Sequence, residues 1–389
     1  MNYKNFSYKI YEQKQLQNFS GILALLDEYK SEFYQEISKD KFVISHILTA
    51  LRKTNNAHLA PQFIKEFNIS FDEEMVLNSY GWCVYDNIKN KNFNLDEVKY
   101  ILSLLFQTNS NYSYNVISNI LRIGLSNIDN PIFLDFFDKN KLSISKQNYQ
   151  GKILPSDLEK WYLAKTKQLF NEKKYQECFK LSNEALEKIE NFSNFNDIWI
   201  ARRIALSLAN LGKLDEAIQK LETIYSTKKE WFILAEIAEL YYKKGDLNKA
   251  FELAIIAINS NTKLEFKIGI ITLLSKLTDE NLSKKHLLLI KYIKQKNNWK
   301  LSNELQNINE DIDFNTLKKE LFSFWRDNLP KDLFKEGVIT KILHDNERGI
   351  VGFLKADKDY YFSTKKRVKQ GNKVVFEIVN DRAKIIKIL

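Results

Sequence analysis

The sequence predicts a mostly α protein, a solenoid of helical repeats, that ends in a small all-β barrel. Three observations carry this expectation. Apolar residues recur at helical spacing from the N-terminus to about residue 330, in segments separated by polar, Asn-rich turns. Within that region Gly212-Lys-Leu-Asp-Glu-Ala217 and Gly245-Asp-Leu-Asn-Lys-Ala250 recur at an interval of 33 residues, each flanked by amphipathic helical patterns. From residue 337 the character changes: β-branched and aromatic residues fill five short runs, and Asp, Asn, Lys and Gly fill the segments between them.

Residues 1–154 are expected to form an N-terminal all-helical domain, with helices marked by apolar periodicity at 21–26, 42–51, 74–85, 96–106 and 114–123. One stretch here has an enzymatic reading. Arg52-Lys-Thr-Asn-Asn-Ala-His58 resembles the Arg-x-x-x-x-x-His element of HEPN-type ribonucleases, in which the pair acts on a 2′-hydroxyl from a helix end. Lys53 departs from that pattern, which usually has Asn, Asp or His after the Arg. A helix C-terminus also attracts Arg and His through its dipole alone, so Arg52 and His58 form the alternative, ribonuclease reading and not the main one.

Pro155-Ser156-Asp157-Leu158-Glu159 places Ser at a helix N-cap with Glu three residues on, a capping box, and puts a domain boundary near residue 155. The second domain, 155–330, holds the repeat. It resembles the tetratricopeptide repeat: Leu234, Ile237, Ala238, Tyr241, Gly245, Leu247, Ala250 and Ala257 follow the pattern, and Ala201, Ile204, Ala205, Leu208, Gly212, Leu214, Ala217 and Ile224 follow it one repeat earlier. A weaker copy places Cys178 where the small Ala would be, which implies a packing role. The resemblance implies paired antiparallel helices and a protein-binding inner surface, with Arg202 and Glu239 as candidates by position. Helical patterns continue at 264–274, 286–293 and 316–325, and Pro330 with Lys331 and Asp332 is expected to end the helical part.

The third domain, 331–389, carries five strand candidates at 337–343, 350–354, 360–363, 374–379 and 383–389. Gly337-Val-Ile, Val351-Gly-Phe-Leu354, Asp359-Tyr-Tyr-Phe-Ser363 and Gly371-Asn-Lys-Val-Val-Phe376 are similar to the strands of cold-shock-type oligonucleotide-binding (OB-fold) barrels. Lys341 stands where that family places a Trp, Val351 replaces its first stacking aromatic and Ser363 replaces a His. The resemblance therefore implies single-stranded nucleic acid binding, RNA or DNA, with less stacking and more phosphate contact than in a typical member. Strand alternation puts Tyr361 and Ser363 on one face and Tyr360 and Phe362 on the other. The cold-shock resemblance implies that the Tyr361 face is the outer one, with Phe353 of the neighbouring strand beside it, and that Tyr360 and Phe362 belong to the core. The candidate nucleic-acid-binding residues are Lys341, Phe353, Lys355, Tyr361, Ser363, Lys365, Lys366 and Arg367.

Charge supports the same end of the molecule. Residues 331–389 hold 14 Lys and Arg against 8 Asp and Glu, so +6 of the chain's net +10 lies in 59 of 389 residues. A basic barrel with outward aromatics suits a polyanion with stackable bases. Lysine also guards edge strands and keeps small β domains soluble, which is the competing reading of the same charge. Elsewhere, Cys83 and Cys178 are far apart and the four His residues are scattered, so neither a disulfide scaffold nor a metal site is expected. Phosphate-binding Gly-rich loops, nucleophile elbows and kinase signatures are absent, and no cofactor is expected. The polar N-terminus and the lack of a long apolar run lead to the expectation of a cytoplasmic protein without a membrane span. Helical repeats joined to such a barrel resemble, in domain order, accessory proteins of TOTE-type anti-phage conflict systems. That resemblance implies a non-enzymatic adaptor acting in defence, with a pure protein-interaction scaffold as the alternative.

Overall fold

The computed structural model describes residues 1–308, 312–330, 335–347, 349–379 and 382–389. It divides into two compact units, Met1–Gly212 and Lys213–Leu389.

The first unit is built from α1 (Tyr3–Gln15), α2 (Phe19–Tyr29), α3 (Tyr34–Ile37), α4 (Lys41–Lys53), α5 (Ala60–Glu66), α6 (Glu74–Lys89), α7 (Leu95–Thr108) and α8 (Asn111–Asn127), followed by α9 (Asp157–Asn171), α10 (Tyr175–Lys188) and α11 (Asn196–Asn210). The Asn-rich turns read from the sequence have two structural uses. Asn2, Asn18 and Asn94 cap helices by accepting first-turn N–H bonds. Asn55, Asn68, Asn109 and Asn194 adopt left-handed backbone conformations, which Asn tolerates better than most side chains do. Inward faces of the helices meet in one cluster that includes Phe6, Ile47, Leu48, Cys83, Leu102, Ile120, Trp161 and Tyr162. Burial pushes the Cys83 thiol well above its ordinary range, so it packs as a small apolar group.

Two details differ from expectation. The stretch before residue 155 contains a short antiparallel hairpin, β1 (Gln147–Tyr149) paired with β2 (Lys152–Leu154) through Gln150-Gly151, where only helices were expected. The capping box is half formed. Ser156 Oγ accepts from Glu159 N at 3.2 Å, but the Glu159 carboxylate does not reach back. Its Oε1 accepts instead from Ser193 N at 2.8 Å and Asn196 Nδ2 at 2.7 Å, so a buried Glu ties down the loop that opens α11.

The second unit begins with α12 (Leu214–Thr227), α13 (Trp231–Lys244), α14 (Leu247–Ile258), α15 (Ile268–Leu277), α16 (Glu280–Lys296), α17 (Asn303–Gln306) and α18 (Phe314–Asp327). Ala217, Ala238 and Ala250, the small residues of the repeat, are fully buried. Gly245 closes α13 at φ +90°, with Gly245 N bonded to Tyr242 O and Asp246 N to Tyr241 O. That is a Schellman cap, which favours a glycine because the conformation is left-handed. The expected helix stop at Pro330 extends into Lys331 and Asp332, which lie outside the described residues.

The chain ends in a closed barrel of β3 (Lys335–Asn346), β4 (Gly349–Lys355), β5 (Asp359–Thr364), β6 (Lys373–Val379) and β7 (Arg382–Ile388). Its strand order is β3-β4-β5-β7-β6, and every neighbouring pair is antiparallel except β5 with β7. Leu354, Phe362, Val374 and Phe376 are fully buried inside it, and each such side chain contributes about 1.5–3 kcal/mol by leaving water. Gly352 sits where β3 presses closest: an added Cβ would collide with the Lys341 carbonyl oxygen and would lie 3.1 Å from the Phe362 ring. The fold is thus mostly helical with helix-pair repeats and a small C-terminal barrel, as the sequence predicts.

Candidate nucleic-acid interface

The outer side of the barrel is set by register. Irregularities between Ile339 and Lys341 and between Ile342 and His344 rephase β3 against β4, so that Lys341 is the partner of Phe353 and His344 of Val351. Phe353 in turn faces Tyr361, and Tyr361 faces Arg382 on the parallel neighbour β7. Four strands therefore place Lys341, Phe353, Tyr361 and Arg382 in one row. Residues that pair across strands point to the same side of a sheet. That side is the outer one, since the intervening Gly352, Leu354, Tyr360, Phe362 and Ala383 are buried.

The middle of the row is an aromatic pair with a cation over it. The Phe353 and Tyr361 rings meet edge to face at 5.7 Å between centroids, and the Arg382 guanidinium lies 5.3 Å from the Tyr361 ring centre. Both rings are half-buried and Lys341 is exposed. Ser363 is exposed opposite Val351 in the row beneath, and Lys355 is exposed opposite Val338 and Asp359 in the row above.

Of the basic turn that follows β5, Lys365 and Arg367 are exposed with no carboxylate partner among the described residues, whereas the Lys366 ammonium donates to the Ile386 carbonyl of β7. Tyr360 belongs to the core, 2% exposed, with its hydroxyl bonded to Asp357 at 3.0 Å. Lys335 closes this corner, 2.6 Å from Asp357, and holds that carboxyl down at about 2. Lys335 is thereby neutralised within the barrel.

Arg382 is the residue that sequence reasoning missed. Its signal was the alternation Arg382-Ala383-Lys384-Ile385, in which Ala383 and Ile385 turn inward and leave the cations outside. His344, one of the four scattered histidines, is likewise drawn to this surface, since its register places it beside Val351 and Ser363.

The alternative pair is arranged differently. Arg52 Nε bonds to Asp86 Oδ2 at 2.8 Å and its guanidinium packs 5.1 Å from the Trp82 ring, which joins α4 to α6. His58 is exposed and lines a cleft of about 660 Å³ together with Tyr80 and Glu97, whose side chains hydrogen-bond to each other. Arg52 does not line that cleft. Of the two positions named for protein binding, Arg202 stacks 5.7 Å from Trp199 in the first unit, and Glu239 is exposed on α13 in the second. No helix among the described residues is long and apolar enough to cross a membrane.

A family model described as a domain of unknown function, DUF7017, matches residues 198–324, less than half of the chain. No curated protein matches. Among solved structures, a human IFIT1 dimer with PPP-AAAA is similar over 85% of this chain and 74% of its own, at 14% identity and a TM-score of 0.35.

Proposed function

We propose that this chain is a non-enzymatic adaptor that binds single-stranded nucleic acid through its C-terminal barrel and a protein partner through its helical repeats. The observation that carries the first half is the row Lys341, Phe353, Tyr361 and Arg382, which sets two aromatic rings between two cations across four strands. A base stacked on such a ring contributes about 1–3 kcal/mol whatever its identity, and flanking cations follow the phosphates. Lys365 and Arg367 extend the cationic side beyond β5, while Lys355 and Ser363 border the row above and below.

Binding by this surface is tolerant of sequence, because neither a stacked ring nor a lysine reads base edges. The repeat segment supplies the second attachment, and domain order of this kind supports a recruitment role in defence against foreign nucleic acid. The direct test is the protein purified from its expressing cells. Copurifying nucleic acid that raises the 260/280 nm absorbance ratio and is removed by single-strand nucleases supports the proposal. A nucleic-acid-free preparation that also fails to bind added oligonucleotides contradicts it.

A further inference from the structure

A cationic cleft lies in the helical part of the second unit, lined by none of the barrel's residues. Between the C-terminus of α14, the turn before α15 and the side of α18 is a cleft of about 370 Å³. Its lining includes Lys267, Lys319 and Arg326, with Ser260, Asn261 and Phe322, and none of its lining residues is acidic.

Lys267 is the unusual member, only 2% exposed. Its ammonium donates to the backbone carbonyls of Ile258, at 2.8 Å, and Ser260, at 2.5 Å. Carbonyl oxygens at a helix C-terminus satisfy two of its three N–H donors and carry a partial negative charge, but they do not cancel a full positive one. A buried charge without a counter-ion is costly, and burial alone draws this amine down to about 8. Beside it the Ser260 hydroxyl is buried without a hydrogen-bond partner. Lys319 and Arg326 stand seven residues apart on α18, two turns along one face, and neither is paired with a carboxylate among the described residues.

We infer that this cleft binds a small phosphorylated molecule, its phosphate held by Lys267, Lys319 and Arg326 and by the Ser260 hydroxyl. A phosphate supplies the missing counter-charge and acceptor oxygens for both the ammonium's third donor and the orphaned hydroxyl. The volume lies at the small end of the usual range for ligand pockets, about 300–1,000 Å³, which admits a phosphate with a compact organic group against Phe322.

Titration calorimetry of the full chain at constant ionic strength, with inorganic phosphate, AMP and adenosine as probes, tests the inference. Phosphate and AMP should bind and adenosine should not. The double variant Lys319→Gln/Arg326→Gln, in which both changed residues are exposed, should lose at least tenfold in AMP affinity while melting normally without ligand. Tyr361→Ala, which removes stacking surface from the barrel and no cation, should leave the affinity for inorganic phosphate unchanged, which separates this site from the barrel. The inference is overturned if neither phosphate nor AMP binds, if adenosine binds as well as AMP, or if the folded double variant binds AMP as the parent does.

Discussion

His286 illustrates what a single side chain does here that its own sequence position does not reveal. It is fully buried on α16; its Nδ1 bonds to Leu282 O at 2.7 Å and its Nε2 accepts the Trp325 indole N–H at 3.0 Å, so one neutral tautomer is fixed. Burial lowers its pKa from 6.5 to about 4. The unfolded chain therefore takes up this proton first, and the stabilisation, complete above about pH 6.5, is lost as pH falls toward 4. The loss should amount to about 3 kcal/mol, read as a falling melting temperature across that window. His286→Gln should be less stable at neutral pH and should lack this component of the acid decline. Gly352→Ala should cost about 1–3 kcal/mol, because the new methyl meets a strand carbonyl that cannot move without opening the barrel. Arg52→Ala should destabilise by about 1–3 kcal/mol by leaving Asp86 unpaired, and the parent protein should leave labelled RNA intact. Cleavage that is lost in both Arg52→Ala and His58→Ala, with folding retained, would restore the ribonuclease reading. At this scale the sequence was legible where a residue's partner was close in the chain. Ser156 could be read as a cap for that reason, whereas Glu159 bonding 34 residues away could not.

Strands and helices were more legible than single side-chain bonds, because periodicity is a property of a whole segment. All five barrel strands lie where β-branched and aromatic runs predict, and alternation along β5 separates Tyr360 and Phe362 from Tyr361 and Ser363 as read from the sequence. Pairing of β3 and β7 was not legible, unlike that of Phe353 with Tyr361: the irregularities in β3 decide that Lys341 rather than a neighbour stands beside Phe353, and the parallel pairing of β7 brings in Arg382. The hairpin of β1 and β2 was missed because three-residue strands give too short a period to recognise. Lys365→Gln and Arg367→Gln should each flatten the salt dependence of single-strand binding, by about 0.7 for every phosphate that is no longer neutralised. Lys366→Gln should flatten that slope less and lower the melting temperature, since one donor of its ammonium is already bonded to the Ile386 carbonyl while its charge is retained.

On the scale of the whole molecule, charge and architecture point the same way. The net charge of +10 is concentrated in the terminal barrel, and the repeats provide packed helix pairs with little excess charge. Under the proposed function the barrel and the repeats hold separate partners, so removing one attachment should leave the other intact. The central claim is that the outer row of the barrel holds single-stranded nucleic acid. Fluorescence anisotropy of the full chain with a short labelled oligonucleotide, at two salt concentrations, tests it most directly. Phe353→Ala and Tyr361→Ala should each weaken binding by about 1–3 kcal/mol with the salt slope retained and the melting temperature close to the parent's. Unchanged affinity in both folded variants, or binding no stronger than that of a chain truncated before β3, would contradict the account.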